Sequence, residues 1–484
     1  MSYFHSIERF ARSLLTWASL VILLAMIASH VGLVDVGQWT DDEFLIIGSY
    51  RDRGWAAFCG RLISWSPRPI SEGLIWAYSC LVNWAHKPFI GAFLGLLWLL
   101  LIGTPLISFM QLRTKLSGDS RRTLKFFSLF AYALIALFLL GHSPGELFYW
   151  PAGAAAYLST LSAITLCFFQ LAGNLTEHRA GRVITAGSLI CCAGSSETGA
   201  FFAFAFGCLC LVGMSVDKAK GVDYQWKILW HLVPALVGMS VLGLLAHNRV
   251  PGQAPVFATA EYHNLYLSLK AALGETLKAY LTTGHRISTR GVLLAFLLKA
   301  CFFLVVRYCW LSSGVKVARQ QVLIVFALSV VATTYFSVAA SYYGYGGLTN
   351  PWHEELRQCL IMLLVAAVGL LSCHWHTGMS DIPRWEWLGG IFAVGMLSMV
   401  VPGRFRALVH DYKNYAVCIE NRNKSWNSGL SDGNTMIWFS PPRGQVAQTL
   451  IFVPGIYYSN AKDNSYVHIN QFFEKERLEI RPYR

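Results

Sequence analysis

Three adjacent carboxylates, Asp41, Asp42 and Glu43, stand directly after the first long apolar block, in the string Trp39-Thr40-Asp41-Asp42-Glu43-Phe44. Arg51-Asp52-Arg53 follows, then Arg68-Pro69 and Glu72. Carboxylates beside arginines at the edge of a bilayer suit one kind of reaction. A carboxylate takes the proton of an acceptor hydroxyl while cations stabilise a lipid phosphate that leaves. Thr40-Asp41-Asp42-Glu43 is also a good helix N-terminal signature, a hydroxyl followed by acids in the first turn. The two roles are compatible.

Other clusters carry comparable chemistry. His142-Ser143-Pro144-Gly145-Glu146 leads into Leu147-Phe148-Tyr149-Trp150-Pro151. An acid next to an aromatic ring is a natural sugar platform, which makes Glu146 and Trp150 candidates to touch substrate. An aromatic belt with Pro in the first helical turn is equally ordinary at a membrane interface. Glu197 stands between two apolar segments, where an ionisable group is costly and usually functional or paired. A capped surface turn, Ser195-Ser196-Glu197-Thr198, also accounts for it. In the string from Tyr342 to Arg357, Gly344, Gly346 and Gly347 precede His353, Glu354 and Arg357 at the mouth of a span. Arg357 suits a phosphate ligand or a snorkelling contact with headgroups. His353 and Glu354 suit substrate contacts, and no partner motif completes a metal site with them. Arg404, Arg406, His410 and Lys413 suit headgroups or a lipid phosphate. Nothing matches a Walker loop, GxGxxG, GxSxG or HExxH. Nucleotide-driven transport and hydrolysis of those types therefore have no support, and no cofactor is expected.

The elements that must position these residues are membrane helices. Of the 484 residues, 55% are apolar and 13% charged, where a soluble domain carries about 25% charged. Mean hydropathy is +0.45. Those values exclude a soluble enzyme, a disordered chain and a secreted disulfide scaffold. Apolar blocks near the bilayer-crossing length of about 20 residues place eleven spans, at 12–34, 88–111, 124–141, 152–173, 183–196, 199–216, 228–247, 291–311, 321–340, 357–374 and 387–401. The net charge of +13 lies between spans, so lipid and phosphate are the expected partners and nucleic acid is not. Most of the 12 Cys sit in or beside apolar runs and read as small buried hydrophobes. A Cys59–Cys80 bridge would require an oxidising compartment around the first loop.

Lys and Arg in the short loops set the orientation. Arg113, Lys115, Arg121 and Arg122, Arg179 and Arg182, Lys218, Lys220 and Lys227, Lys316 and Arg319, and Arg384 share one side. The short loops 142–150, 196–198 and 341–356 opposite them hold no Lys or Arg. The N-terminus is then cytoplasmic, and the long polar segments 35–87, 248–290 and 402–484 lie outside. Alternation in Thr435-Met436-Ile437-Trp438-Phe439 and Thr449-Leu450-Ile451-Phe452-Val453 predicts strands in the tail. The expected fold is an all-α polytopic membrane bundle of about eleven helices over residues 1–401, followed by a small external α/β or β-containing domain over 402–484.

An acid pair after the first span, an amphipathic loop helix over 55–66, many further spans and an external tail together resemble the GT-C superfamily of polytopic glycosyltransferases. The stretch Phe148-Tyr149-Trp150-Pro151-Ala152-Gly153 with Tyr157, and the hairpin Ser196-Glu197-Thr198-Gly199, look more closely like bacterial serotype-converting O-antigen glucosyltransferases. The resemblance implies a bacterial inner-membrane enzyme that moves a sugar, glucose above all, from a polyprenyl phosphate to a lipid-linked glycan such as O-antigen, at the periplasmic face, without a metal. It implies Asp42, or Asp41 beside it, as the base. Arg68 and Arg357 would hold the donor phosphate, and Glu43, Glu146, Trp150, Glu197, His353 and Glu354 the sugar and acceptor. A donor flippase and a donor-synthesising glycosyltransferase would be its partners. Two rivals are a polysaccharide polymerase or ligase, with catalytic Arg and His in a late loop, and a lipid-linked glycan transporter, which predicts repeats and midplane charges.

Overall fold

An apolar chain in lipid has no water to satisfy its peptide groups, so long apolar runs form helices that close their own hydrogen bonds. The computed structural model describes residues 2–37, 39, 41–113, 120–139, 144–219, 229–248, 259–282, 289–315, 319–347, 351–374, 408–440 and 467–482. In chain order the helices are α1 (Ser2–Val31), α2 (Asp41–Ser64), α3 (Pro69–Ala85), α4 (Ile90–Arg113), α5 (Ser120–Phe138) and α6 (Pro144–Phe148). The span α7 (Pro151–Ala172) follows. Then come α8 (Arg179–Ser195), α9 (Glu197–Ala219), α10 (Leu229–Asn248), α11 (Leu265–Leu281), α12 (Thr289–Ser313), α13 (Gln320–Tyr345) and α14 (Pro351–Cys373). In the tail lie α15 (408–430), β1 (Thr435–Ser440), α16 (Val467–Phe473) and β2 (Arg477–Pro482).

Seven of these helices are long and apolar enough to cross a membrane: α1, α4, α7, α9, α12, α13 and α14. The chain is a polytopic α-helical membrane protein. Helices α5, α8 and α10 stand where three more spans are expected. The two basic residues in the first turn of α5, Arg121 and Arg122, and the 17-residue length of α8 set those two apart from the seven. The expected span 387–401 lies outside the described residues.

The centre of the bundle is α7, buried along nearly its whole length. Its flanks are aromatic. Phe169 meets Phe130 of α5 at 5.8 Å between ring centroids, and Phe168 meets Phe326 of α13 at 5.2 Å. A buried amide replaces apolar contact once, where Gln170 Nε2 donates to Ser108 Oγ of α4 at 3.0 Å. Helix α11, from the second long polar segment, packs on α13 and α14. Its last carbonyls would be orphaned, but Gln358 Nε2 donates to Ala279 (3.2 Å) and Lys299 Nζ to Tyr280 (2.5 Å).

One end of the bundle carries α2, α3 and the tail, and is called the hairpin end below. Helix α2 is broken at Gly54, which takes φ +54°, a left-handed value that glycine adopts without strain. The break lets α2 fold back along α3. On the amphipathic stretch, Trp55, Ile63 and Trp65 are exposed while Phe58 is buried against Trp76 and Tyr50. The expected amphipathic stretch is therefore helical as far as Ser64, with Phe58 turned inward.

The tail sits on this hairpin. Arg422 of α15 donates to the carbonyls of Asp35 and Gly37, Trp426 Nε1 to that of His86 (2.9 Å), and Arg51 to that of Phe472 (2.7 Å). Trp39, Phe44, Trp426, Trp438, Phe472 and Phe473 pack edge to face between loop and tail. Strand β1, where alternation places a strand, pairs with β2 in parallel, Thr435 opposite Arg477. The second alternating run, 449–453, lies outside the described residues. The aromatic core of the tail is one with that of the first loop, so the expected boundary at 401/402 does not separate two cores.

Candidate active site at the hairpin end

Two Arg–Glu pairs at the hairpin end involve α3 or the residue just before it. In the first, Glu72, in the first turn of α3, is 1% exposed. Arg61 of α2 grips it with both sides of its fork, Nε to Oε2 at 3.1 Å and Nη2 to Oε1 at 3.0 Å. Tyr50, on the other side of the Gly54 break, donates to Oε2 at 2.6 Å. Burial alone would raise the Glu72 carboxyl; the Arg61 hydrogen bonds and charge, with that of Arg68, outweigh it and hold the group below the usual carboxylate range. Burial, then the Glu72 charge, push the Tyr50 phenol up, so it remains a donor. The triad ties both halves of α2 to α3.

The second pair joins Arg68, just before Pro69 at the start of α3, to Glu197 at the start of α9. Arg68 Nη1 lies 3.5 Å from Glu197 Oε2, with side chains 19% and 18% exposed. Arg68 Nε donates to Ser66 Oγ at 2.7 Å. Burial works against the Arg68 charge, but Glu197 first, then Tyr157, Glu72 and Tyr345, raise its affinity for the proton above the ordinary guanidinium value. Arg68 is thus a fixed cation with Glu197, Tyr157, Glu72 and Tyr345 around it.

Local sequence explains why Glu197 is held so firmly. Helices α8 and α9 are joined by the single extended residue Ser196. Its Oγ accepts from Gly199 N at 3.0 Å, an N-cap, and meets Thr160 Oγ1 of α7 at 2.7 Å. A Cβ on Gly199 would come within 2.0 Å of the Cys192 carbonyl, and one on Gly194 within 2.7 Å of Ile70. The glycines let the turn close and let α3 lie against it, which brings Arg68 to Glu197.

Tyr157 enters from α7, in a π-helical segment, Ala154–Leu158; such widened turns recur at functional sites. Its phenol lies 3.4 Å from His353 Nε2 at the start of α14, with the rings edge to face at 5.2 Å. Arg357 lies one turn further along the same face of α14 and is 3% exposed. Among the described residues its Nε and Nη1 meet no hydrogen-bond acceptor. Glu354, Glu275 and Tyr342 lie within electrostatic reach of it.

The structure thus brings Arg68, Glu197 and His353 into one neighbourhood, with Arg357 deeper in α14. Glu43 has a different position. It is 1% exposed, and its Oε1 accepts from Ala152 N at 2.9 Å, so it caps α7 and faces that helix's positive end. Trp150, at the N-cap position of α7, is buried rather than open for stacking. Glu354 is half-buried. The side chains of Asp41, Asp42 and Glu146 lie outside the described residues, although Asp41 and Asp42 begin α2 and Glu146 lies in α6. Arg404 and Arg406 lie outside them as well. Among the described residues no three His, Cys, Asp or Glu side chains converge. Cys59 and Cys80 are free thiols.

Sequence reasoning missed Arg61 and Tyr50 as partners of Glu72. Their signal is faint: Glu72 follows a Pro at the helix start, where an acid needs no partner to be explained. No family model, no curated protein and no solved structure matches the chain.

Proposed function

We propose that the chain is an inverting glycosyltransferase that moves a sugar, glucose in the first instance, from a polyprenyl phosphate to a lipid-linked glycan such as O-antigen. The observation that carries this reading is the Arg68–Glu197 pair, a half-open cation just before α3 and a carboxylate at the start of the membrane-length helix α9. Such a site offers charge for a departing lipid phosphate and a proton acceptor for an incoming hydroxyl in one place. The acceptor oxygen attacks the anomeric carbon, the carbon–oxygen bond to phosphate breaks with inversion, and the electron pair leaves on the polyprenyl phosphate. Asp41 and Asp42 at the start of α2 and Glu197 at the start of α9 are the carboxylates available for the proton. Tyr157 and His353 flank the sugar.

In this reading the chain has eleven spans in a bacterial inner membrane, α5, α8, α10 and 387–401 completing the set. The Lys and Arg bias puts the N-terminus in the cytoplasm and the hairpin end, with the tail, in the periplasm. Donor synthesis and flipping fall to partner proteins. A second reading, a ligase or polymerase acting on diphosphate-linked glycans, draws on His353 and the buried Arg357 on one face of α14.

The test uses purified protein in nanodiscs with radiolabelled undecaprenyl-phosphate glucose and a lipid-linked O-antigen extract. Label is expected in the glycan, with undecaprenyl phosphate released, and both are expected to be lost in Arg68→Gln. Elongation of diphosphate-linked glycans without use of the monophosphate sugar would replace this reading with the second.

A further inference from the structure

Buried polar atoms in a folded chain nearly always find partners, and buried charges above all. The seam between α11 and α14 departs from that rule. Arg357 of α14 is 3% exposed, and among the described residues its Nε and Nη1 meet no acceptor. Gln358 beside it donates from Nε2 to the Ala279 carbonyl of α11, while among the described residues its buried Oε1 meets no donor. Thr276, one turn before Ala279 on α11, is buried with its Oγ1 in the same condition. Glu354, Glu275 and Tyr342 lie within electrostatic reach of the guanidinium, Glu275 from α11 and Tyr342 from α13. Away from the seam, α11 turns Leu265, Leu273, Leu277 and Leu281 outward, all of them exposed.

We propose that Arg357 is a second lipid-phosphate site: it holds the phosphate anchor of the lipid-linked acceptor, whose hydrocarbon chain lies along the outward leucines of α11, while Arg68 serves the donor. The inference rests on the glycosyl-transfer reading. Transfer between two membrane-anchored substrates brings two phosphate anchors to one site, and the reaction releases the donor's alone. The two arginines are set for two ligands. Glu197, Tyr157, Glu72 and Tyr345 surround Arg68, whereas Glu354, Glu275 and Tyr342 surround Arg357, and no residue belongs to both groups. An anionic head offers acceptors to guanidinium nitrogens and to a threonine hydroxyl, and guanidinium suits phosphate better than any other side chain in a buried setting. An apolar tail matches the leucines.

The Tyr157–His353 contact links the two cations. Tyr157 is among the neighbours of Arg68, His353 Nε2 lies 3.4 Å from its phenol, and Arg357 follows His353 by one turn of α14. Donor phosphate, sugar and acceptor anchor then succeed one another from Arg68 through Tyr157 and His353 to Arg357. The arrangement has a consequence for stability. A charge buried without an acceptor costs the fold free energy, and such a cost is kept where it serves binding. Arg357 is in this respect the opposite of Arg61, whose fork is filled by Glu72.

The test measures binding of undecaprenyl diphosphate and of undecaprenyl phosphate to the intact chain in phosphatidylcholine nanodiscs by native mass spectrometry. Arg357→Met is expected to weaken the diphosphate by about tenfold, the size of a lost charge-assisted hydrogen bond, and to leave the monophosphate within about twofold. Arg68→Gln is expected to do the reverse. Arg357→Lys keeps the charge without the fork and retains part of the diphosphate binding. Where the preparation transfers sugar, Arg357→Met should raise KM for the acceptor and not for the donor. The unfolding midpoint of Arg357→Met is expected at or above that of wild type, because an unpaired buried charge is removed; a lower midpoint marks a structural residue and overturns the site. Unchanged diphosphate binding in Arg357→Met, or equal loss of both lipids, also overturns it. Binding of added phosphatidylglycerol that is lost in Arg357→Met, with undecaprenyl diphosphate unaffected, assigns the position to bilayer headgroups and overturns it too. A wild type that binds the diphosphate through Arg357 yet transfers sugar from no donor leaves the site standing and brings down the glycosyl-transfer reading.

Discussion

Arg61–Glu72 and Arg68–Glu197 are the same chemical pair, set at the same end of the molecule and joined through α3, yet they are built for opposite ends. Glu72 is 1% exposed and accepts three hydrogen bonds, two from Arg61 and one from Tyr50. Glu197 keeps 18% exposure, and Arg68 approaches it at 3.5 Å. A saturated, buried pair has nothing left to offer a ligand, and breaking it leaves an uncompensated charge. A longer, half-open pair contributes little to stability and stays within reach of a ligand. Burial and contact distance, more than residue type, set the two pairs apart.

That contrast can be broken in several ways. The largest effect is expected from Glu72→Gln, which strands Arg61 and should cost about 3 kcal/mol, read as a lower midpoint for unfolding in mixed detergent micelles. If Glu72→Gln unfolds like wild type, the clamp is no clamp. Arg68→Gln should do the reverse, reducing sugar transfer by about a hundredfold while the unfolding midpoint moves little. A smaller effect is expected from Gly194→Val, whose side chain would press on Ile70 and push Arg68 off Glu197; transfer is expected to drop by about tenfold, in line with the cost of a small misplacement. Glu43→Gln removes only the charge that faces the start of α7, for about 1 kcal/mol.

Acid titration sharpens the comparison further. The Glu72 carboxyl is held below its ordinary range in the folded state. Its stabilising contribution is therefore complete above the unfolded carboxylate value of about 4.3 and is lost as pH falls through the lower folded value. The stability difference between wild type and Glu72→Gln should be flat from neutrality to about pH 5 and shrink below about pH 4. A difference that grows on acidification would contradict the assignment.

The membrane character and the positions of most long helices were readable because apolar runs of bilayer length have one structural solution. Arg68 and Glu197 were readable one by one, as charges where charge is costly. Their pairing was not, since it depends on Gly194 meeting Ile70, a contact between distant helices with no local pattern. Glu43 was read with its neighbours Asp41 and Asp42, but it turns inward to cap a helix 109 residues away. Helix α15 was missed because Tyr415, Cys418, Arg422, Ser425 and Trp426 mix polar with apolar residues on its packed side. That side packs partly on backbone carbonyls of the first loop and partly on its aromatic cluster. The π-helical turn that carries Tyr157 leaves no mark in a run of alanines.

The most direct measurement is a structure of the chain in nanodiscs, by electron cryomicroscopy, with undecaprenyl phosphate bound. The expected result is phosphate density on the terminal nitrogens of Arg68, with the Arg61–Glu72–Tyr50 triad unchanged. Phosphate bound elsewhere, away from Arg68, would contradict the account.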